Sequence, residues 1–178
     1  MAHAGDELLN PVSGQRLVFL QTTEDTKGEL LEVESTYAAG GQQPPVHYHP
    51  AQKERFEVLA GTVEILLGDG VRTLRQGEVL SVPAGSPHSI WSQTGGRVNW
   101  QTRPAGKTEA FFELVWGLAR DGKVNQNGRP NLLQSAVLAR AYRKEWRLAR
   151  PPYGIQLVLF GVLAPIGRLL GYRASYPR

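Results

Sequence analysis

From Arg16 to Thr102 the chain alternates short apolar runs with turn residues. Leu17–Gln21, Glu29–Tyr37, Val46–His49, Arg55–Leu59, Val63–Leu67, Val79–Val82, His88–Ser92 and Val98–Thr102 each have the length and side-chain make-up of a strand. Gly40-Gly41, Pro44-Pro45, Ala60-Gly61, Pro83–Gly85 and Gly95-Gly96 break them, and Asp69-Gly70 reads as a hairpin turn. Short strands with turn signals at roughly 8–12-residue intervals predict an all-β sandwich or barrel. No long stretch of this region has the 3.6-residue period of a helix.

The pattern changes after Pro104. Thr108–Leu118 is aromatic-rich and suits either a helix or a last strand, and Gly122–Asn131 is a polar loop. Asn131–Ala149 reads as a helix opened by Pro130 or Asn131. Its basic residues Arg140, Arg143, Lys144 and Arg147 gather toward the C-terminal end, as the macrodipole favours. Pro151-Pro152 stops it, and Tyr153–Tyr172 is a second apolar helical segment, bent or broken at Pro165. This divides the chain into an N-terminal arm over 1–14, a barrel over 15–118 and a helical extension over 119–178.

Charge follows that division. The chain has 178 residues, 20 Lys+Arg and 16 Asp+Glu. Residues 120–178 hold 11 of the basic and 2 of the acidic residues, a net of +9, which leaves 9 and 14, a net of −5, for residues 1–119. The basic character belongs to the extension alone. Met1–Asn10 lacks the apolar core of a signal peptide, and Ile155–Ile166 falls short of the roughly 20 residues that span a bilayer. The expectation is a soluble, cytoplasmic protein.

The absence of cysteine excludes a disulfide scaffold, a thiolate metal site and a cysteine nucleophile. Imidazole chemistry rests on four residues, His3, His47, His49 and His88. His3 lies in the terminal arm and is assigned no role. His47 and His49 are two apart on one strand, so they share a face. Glu54 opens the next strand, and His88 lies on a later one. Three imidazoles and a carboxylate converging inside a barrel make a site for one divalent transition metal, with Fe, Mn, Ni, Zn and Cu all compatible. By strand parity Phe56 and Val58 lie on the Glu54 face, and Ile90 and Ser92 on the His88 face. These four are the candidate substrate-binding residues. Gly41 and Gly61 are read as strand ends that need positive φ. Pro83–Gly85 is read as a rigid corner that aims His88 inward. Phe56, Trp91 and Trp100 are read as packing residues. No dinucleotide fingerprint, phosphate-binding loop or serine nucleophile elbow occurs.

The spacing carries more than the residue types. Gly41, His47, His49, Glu54 and Gly61 read G-x5-H-x-H-x4-E-x6-G, and Gly77, Pro83, Gly85 and His88 read G-x5-P-x-G-x2-H. These resemble the two motifs of the cupin superfamily, over roughly residues 15–105. Ser92 stands where the family's second motif usually has Asn. The resemblance implies a jelly-roll β-barrel, here followed by C-terminal α-helices. It also implies a metal held by His47, His49, Glu54 and His88, with Glu54 as ligand or catalytic proton acceptor. Cupins with this pattern are often dioxygenases of aromatic or thiol substrates, with isomerases and decarboxylases next. The apolar pocket residues favour a small aromatic or hydrophobic organic substrate. The alternative is a non-catalytic binding or sensor barrel whose helices dimerise or localise it. The extension has three readings: packing on its own barrel or in a homodimer, peripheral membrane contact through 153–172, and nucleic-acid binding, which no motif supports.

Overall fold

The apolar runs of the first hundred residues form strands, as their patterning predicts. The computed structural model describes residues 2–176. Its strands are β1 (Glu7–Leu9), β2 (Arg16–Gln21), β3 (Leu31–Ala39), β4 (His47–Tyr48), β5 (Lys53–Leu67), β6 (Gly70–Arg75), β7 (Val79–Val82), β8 (His88–Trp91), β9 (Thr94–Arg103) and β10 (Arg147–Leu148). The helices are α1 (Thr108–Arg120), α2 (Leu132–Ala141) and α3 (Tyr153–Leu169). All ladders are antiparallel and run β1-β2-β3-β9-β5-β8-β4-β10, with β6 and β7 also on β5. This is a jelly roll followed by three helices.

β5 joins the two faces of the roll. Its first half pairs with β9 and β7, and its second half with β6 and β8. The two runs predicted on either side of Ala60-Gly61 are therefore one strand with a kink. The register shifts between Val58 and Ala60, and Gly61 takes φ +67°. A Cβ on Gly61 would stand 2.3 Å from the Gly95 carbonyl oxygen, so both conformation and space demand glycine there. Gly41 is needed for a different reason than predicted. It has no positive φ, but its Cβ would meet the Ser92 carbonyl oxygen at 2.5 Å.

Tyr37, Phe56, Val58, Val63, Ile65, Val82, Ile90 and Val98 fill the interior. Outside it the layers continue in chain order. Phe112 and Trp116 of α1 cover Leu17, Phe19, Leu31 and Val33 of the barrel. Leu114 and Leu118 of α1 meet Leu138 of α2 and the Tyr142 that follows it. Ala136 and Val137 of α2 meet Ala164 of α3. Thr108–Leu118 thus resolves as helix.

The helix predicted over Asn131–Ala149 stops at Ala141. Buried Tyr142 turns the chain, with its hydroxyl donating to the Ala174 carbonyl at 2.8 Å. Residues 147–148 then become a strand, so Arg143, Lys144 and Arg147 lie beyond the helix, and tertiary pairing overrides helical preference. α3 runs through Pro165 unbroken, with Gly161 at the i−4 position where the proline ring crowds the backbone. The Asn131 side chain caps α2 by accepting from the Gln134 N–H at 2.9 Å. Asn131→Ala is expected to lower stability by about 1 kcal/mol, measured by urea denaturation, with the slope of the transition unchanged.

Candidate metal centre

The three barrel histidines meet because of strand register. His47 on β4 pairs directly with His88 on β8, which sets their rings 4.5 Å apart between centroids. His49 follows two residues on, on the same side, 5.2 Å from His47 and 5.4 Å from His88. The Pro83–Gly85 corner is tied to this group, since the Gly85 N–H donates to the His49 carbonyl at 2.8 Å. One ligand nitrogen from each of His47, His49 and His88 lies within 4.8 Å of the others. His49, His88 and Glu54 are buried, and His47 is half-buried.

Each imidazole is oriented from behind. Nδ1 of His47 contacts the Pro45 carbonyl at 3.0 Å, that of His88 the Ser86 carbonyl at 3.0 Å, and that of His49 the Glu145 carbonyl at 2.7 Å. A carbonyl only accepts, so each Nδ1 bears the proton. In the neutral ring each Nε2 then offers a lone pair to the common centre.

Glu54 faces this group from β5. Its Oε1 accepts from Trp100 Nε1 at 2.9 Å, and its Oε2 lies 2.8 Å from His88 Nε2 and 3.3 Å from His49 Nε2. Neither of these two approaches has hydrogen-bond geometry. His49 Nε2 and Glu54 Oε2 are buried polar atoms without a hydrogen-bond partner. Lone pairs gathered this closely repel one another unless a cation stands among them. Electrostatics agree. Burial, reinforced by the neighbouring His88 and His49, pushes the His47 imidazole down to about 3 and keeps it neutral. Burial works against charge on His49 and Glu54. The Glu54 carboxylate nevertheless raises His49, and His49 and His88 hold Glu54 well below the carboxylate range. A divalent cation would take the place of the proton that Glu54 favours on His49. The residues fit a metal.

The sequence-predicted pocket residues occupy two kinds of place. Phe56 and Val58 lie with Glu54 on the buried face of β5, and all three belong with Ile90 to the barrel interior. The Ser92 hydroxyl sits at the β8–β9 turn, donating to the Thr62 carbonyl at 2.7 Å and accepting from the Gly95 N–H at 2.9 Å. His3 is exposed at the terminus, away from the other three.

Sequence reasoning missed three contributors. Trp100 holds Glu54 as well as packing between Phe56 and Phe112. Glu145 supplies the carbonyl behind His49, and the Trp146 ring lies 5.6 Å from His47 and 5.6 Å from Phe111. The last two come from the extension. β10 pins them there by pairing Leu148 with His47, and Gln156 of α3 donates to the Leu148 carbonyl at 2.8 Å. An aromatic residue beside a basic run was the one available signal.

Residues 33–100 match the family described as the cupin domain. With the two motifs and the jelly roll, this identifies a cupin domain in the chain. It is 32% identical over 154 residues to an oxidoreductase of Arthrobotrys oligospora, covering 77% of this chain and 59% of that protein. It is 30% identical over 149 residues to the probable oxidoreductase virH of Hypocrea virens, covering 75% of this chain and 66% of that protein. The chain therefore spans about three fifths to two thirds of the length of these curated relatives. An RmlC-like cupin from Shewanella frigidimarina superposes with a TM-score of 0.50 at 20% identity, over 57% of this chain and 86% of that one, and shares the fold.

Proposed function

We propose that this cupin is a metal-dependent oxidoreductase of dioxygenase type, acting on a small aromatic organic substrate. The observation that carries the reading is the set of three imidazoles, each with Nδ1 fixed on a backbone carbonyl and Nε2 turned to a common centre. The oxidoreductase names of the fungal relatives support it. His47, His49 and His88 would hold one divalent transition metal, with Glu54 as fourth ligand. A metal there polarises an oxygen ligand or activates dioxygen.

The chain's own residues supply the rest. Trp100 fixes the Glu54 carboxylate so that Oε2 faces the histidines, where it can accept a proton from substrate. Phe56, Val58 and Ile90 give the interior an apolar lining that excludes water. His47 is the least buried of the four, and the Trp146 ring lies 5.6 Å from it.

The test is an oxygen-electrode assay on the full chain loaded in turn with Fe, Mn, Ni and Cu, offered catechols and small thiols. Oxygen uptake that matches substrate loss and vanishes with chelation is expected. Ligand binding without oxygen uptake under every metal would establish the non-catalytic alternative instead.

A further inference from the structure

α3 is built inside out for a helix in water. Its buried positions are Gln156, Ala164 and Gly167. Gly167 lets the helix approach α2 so closely that a Cβ there would stand 2.9 Å from Val137 Cγ2. The large aliphatic residues face away. Ile155, Val158, Val162, Ile166 and Leu169 follow one another at three- and four-residue steps, which makes one continuous stripe, and all are exposed. Val158 is 72% exposed and Leu169 88%. Small residues at the helix contact with aliphatic residues outward is the arrangement of a helix whose surroundings are hydrocarbon.

Cations border the same helix. Arg140, Arg143 and Arg147 line a narrow cleft along its first two turns. The Arg147 guanidinium lies 3.7 Å from the Tyr153 ring centre. Arg168 of its last turn shares a second cleft with Lys107, Arg140, Arg143 and Lys144. Residues 120–178 carry the net +9. We propose that α3 and its arginine border are a docking surface for an anionic lipid bilayer, with the helix lying in the headgroup layer and its aliphatic stripe in the acyl boundary.

Charge decides the occupant. A second copy on this face would bring two segments of net +9 together, whereas an anionic leaflet attracts them. A helix of 17 residues is about 25 Å long. No helix of the described residues is long and apolar enough to cross a membrane, so the contact lies along the surface.

Vesicle co-sedimentation of the full chain tests this. Vesicles of phosphatidylcholine with about 30 mol % phosphatidylserine are compared with phosphatidylcholine alone, at low and high salt. Binding is expected on the anionic vesicles, with at least about a tenfold loss on neutral ones or at high salt. Val158→Ser, Val162→Ser and Leu169→Ser together should abolish it. All three positions are exposed, and an unchanged circular dichroism spectrum confirms the fold. Light scattering of both chains runs beside it. No binding to anionic vesicles, or equal binding by the triple variant, overturns the proposal. So does a dimer that the triple variant converts to monomer without any lipid binding by the parent, since a second copy then covers the face.

Discussion

The His88→Ala chain is expected to lose its metal. His88 is buried, its Nδ1 is fixed by Ser86, and its Nε2 stands 2.8 Å from Glu54 Oε2. Its removal leaves two imidazoles and opens one side of the centre. Loss of an outer-shell partner alone costs ten- to a hundredfold in metal affinity, so loss of a ligand should exceed about a hundredfold. Competitive titration against a chromophoric chelator reads this loss. His3→Ala is the control, since His3 is exposed and remote from the centre. Equal affinity for His88→Ala and the parent chain would remove His88 from the site.

The second large effect belongs to Trp100→Phe. Trp100 packs 5.4 Å from Phe56 and 5.0 Å from Phe112, and a phenylalanine ring preserves most of that contact. What it removes is the indole N–H that Glu54 Oε1 accepts at 2.9 Å. Glu54 is then free to rotate, and one buried carboxylate oxygen loses its donor. Metal affinity should fall roughly ten- to a hundredfold, and stability by about 1–3 kcal/mol. A lowered melting temperature with unchanged metal affinity would make Trp100 a packing residue only. Affinity that falls with the far-ultraviolet spectrum unchanged makes it the residue that positions Glu54.

The barrel centre was legible because its ligands sit at fixed spacings on local strands. His47 and His49 share a face by two-residue parity, and the glycines that kink β5 and let the β8–β9 turn approach stand in the same motif. What spacing could not show is what stands behind the ligands. The Trp100–Glu54 bond depends on the register of β5 against β9, which pairs positions nearly fifty residues apart in sequence. The Glu145 contact depends on β10, a two-residue strand with no period to detect. The basic run after Arg140 therefore reads as the end of a helix, whereas buried Tyr142 and pairing with β4 pull it against the strand that carries His47. The extension is not an appendage to the site. It supplies one of the three carbonyls that fix the imidazoles and the aromatic ring beside His47.

The exposed face of α3 was hidden for a related reason. A segment apolar all round reads as buried, and hydropathy does not say which residues face in. Here α2 takes the small ones.

Elemental analysis of the purified full chain tests the central claim most directly. The account predicts close to one transition-metal ion per chain after reconstitution, removable by a chelator and restored on adding metal back. A chain that retains no metal after exposure to Fe, Mn, Ni, Zn and Cu in turn would contradict it.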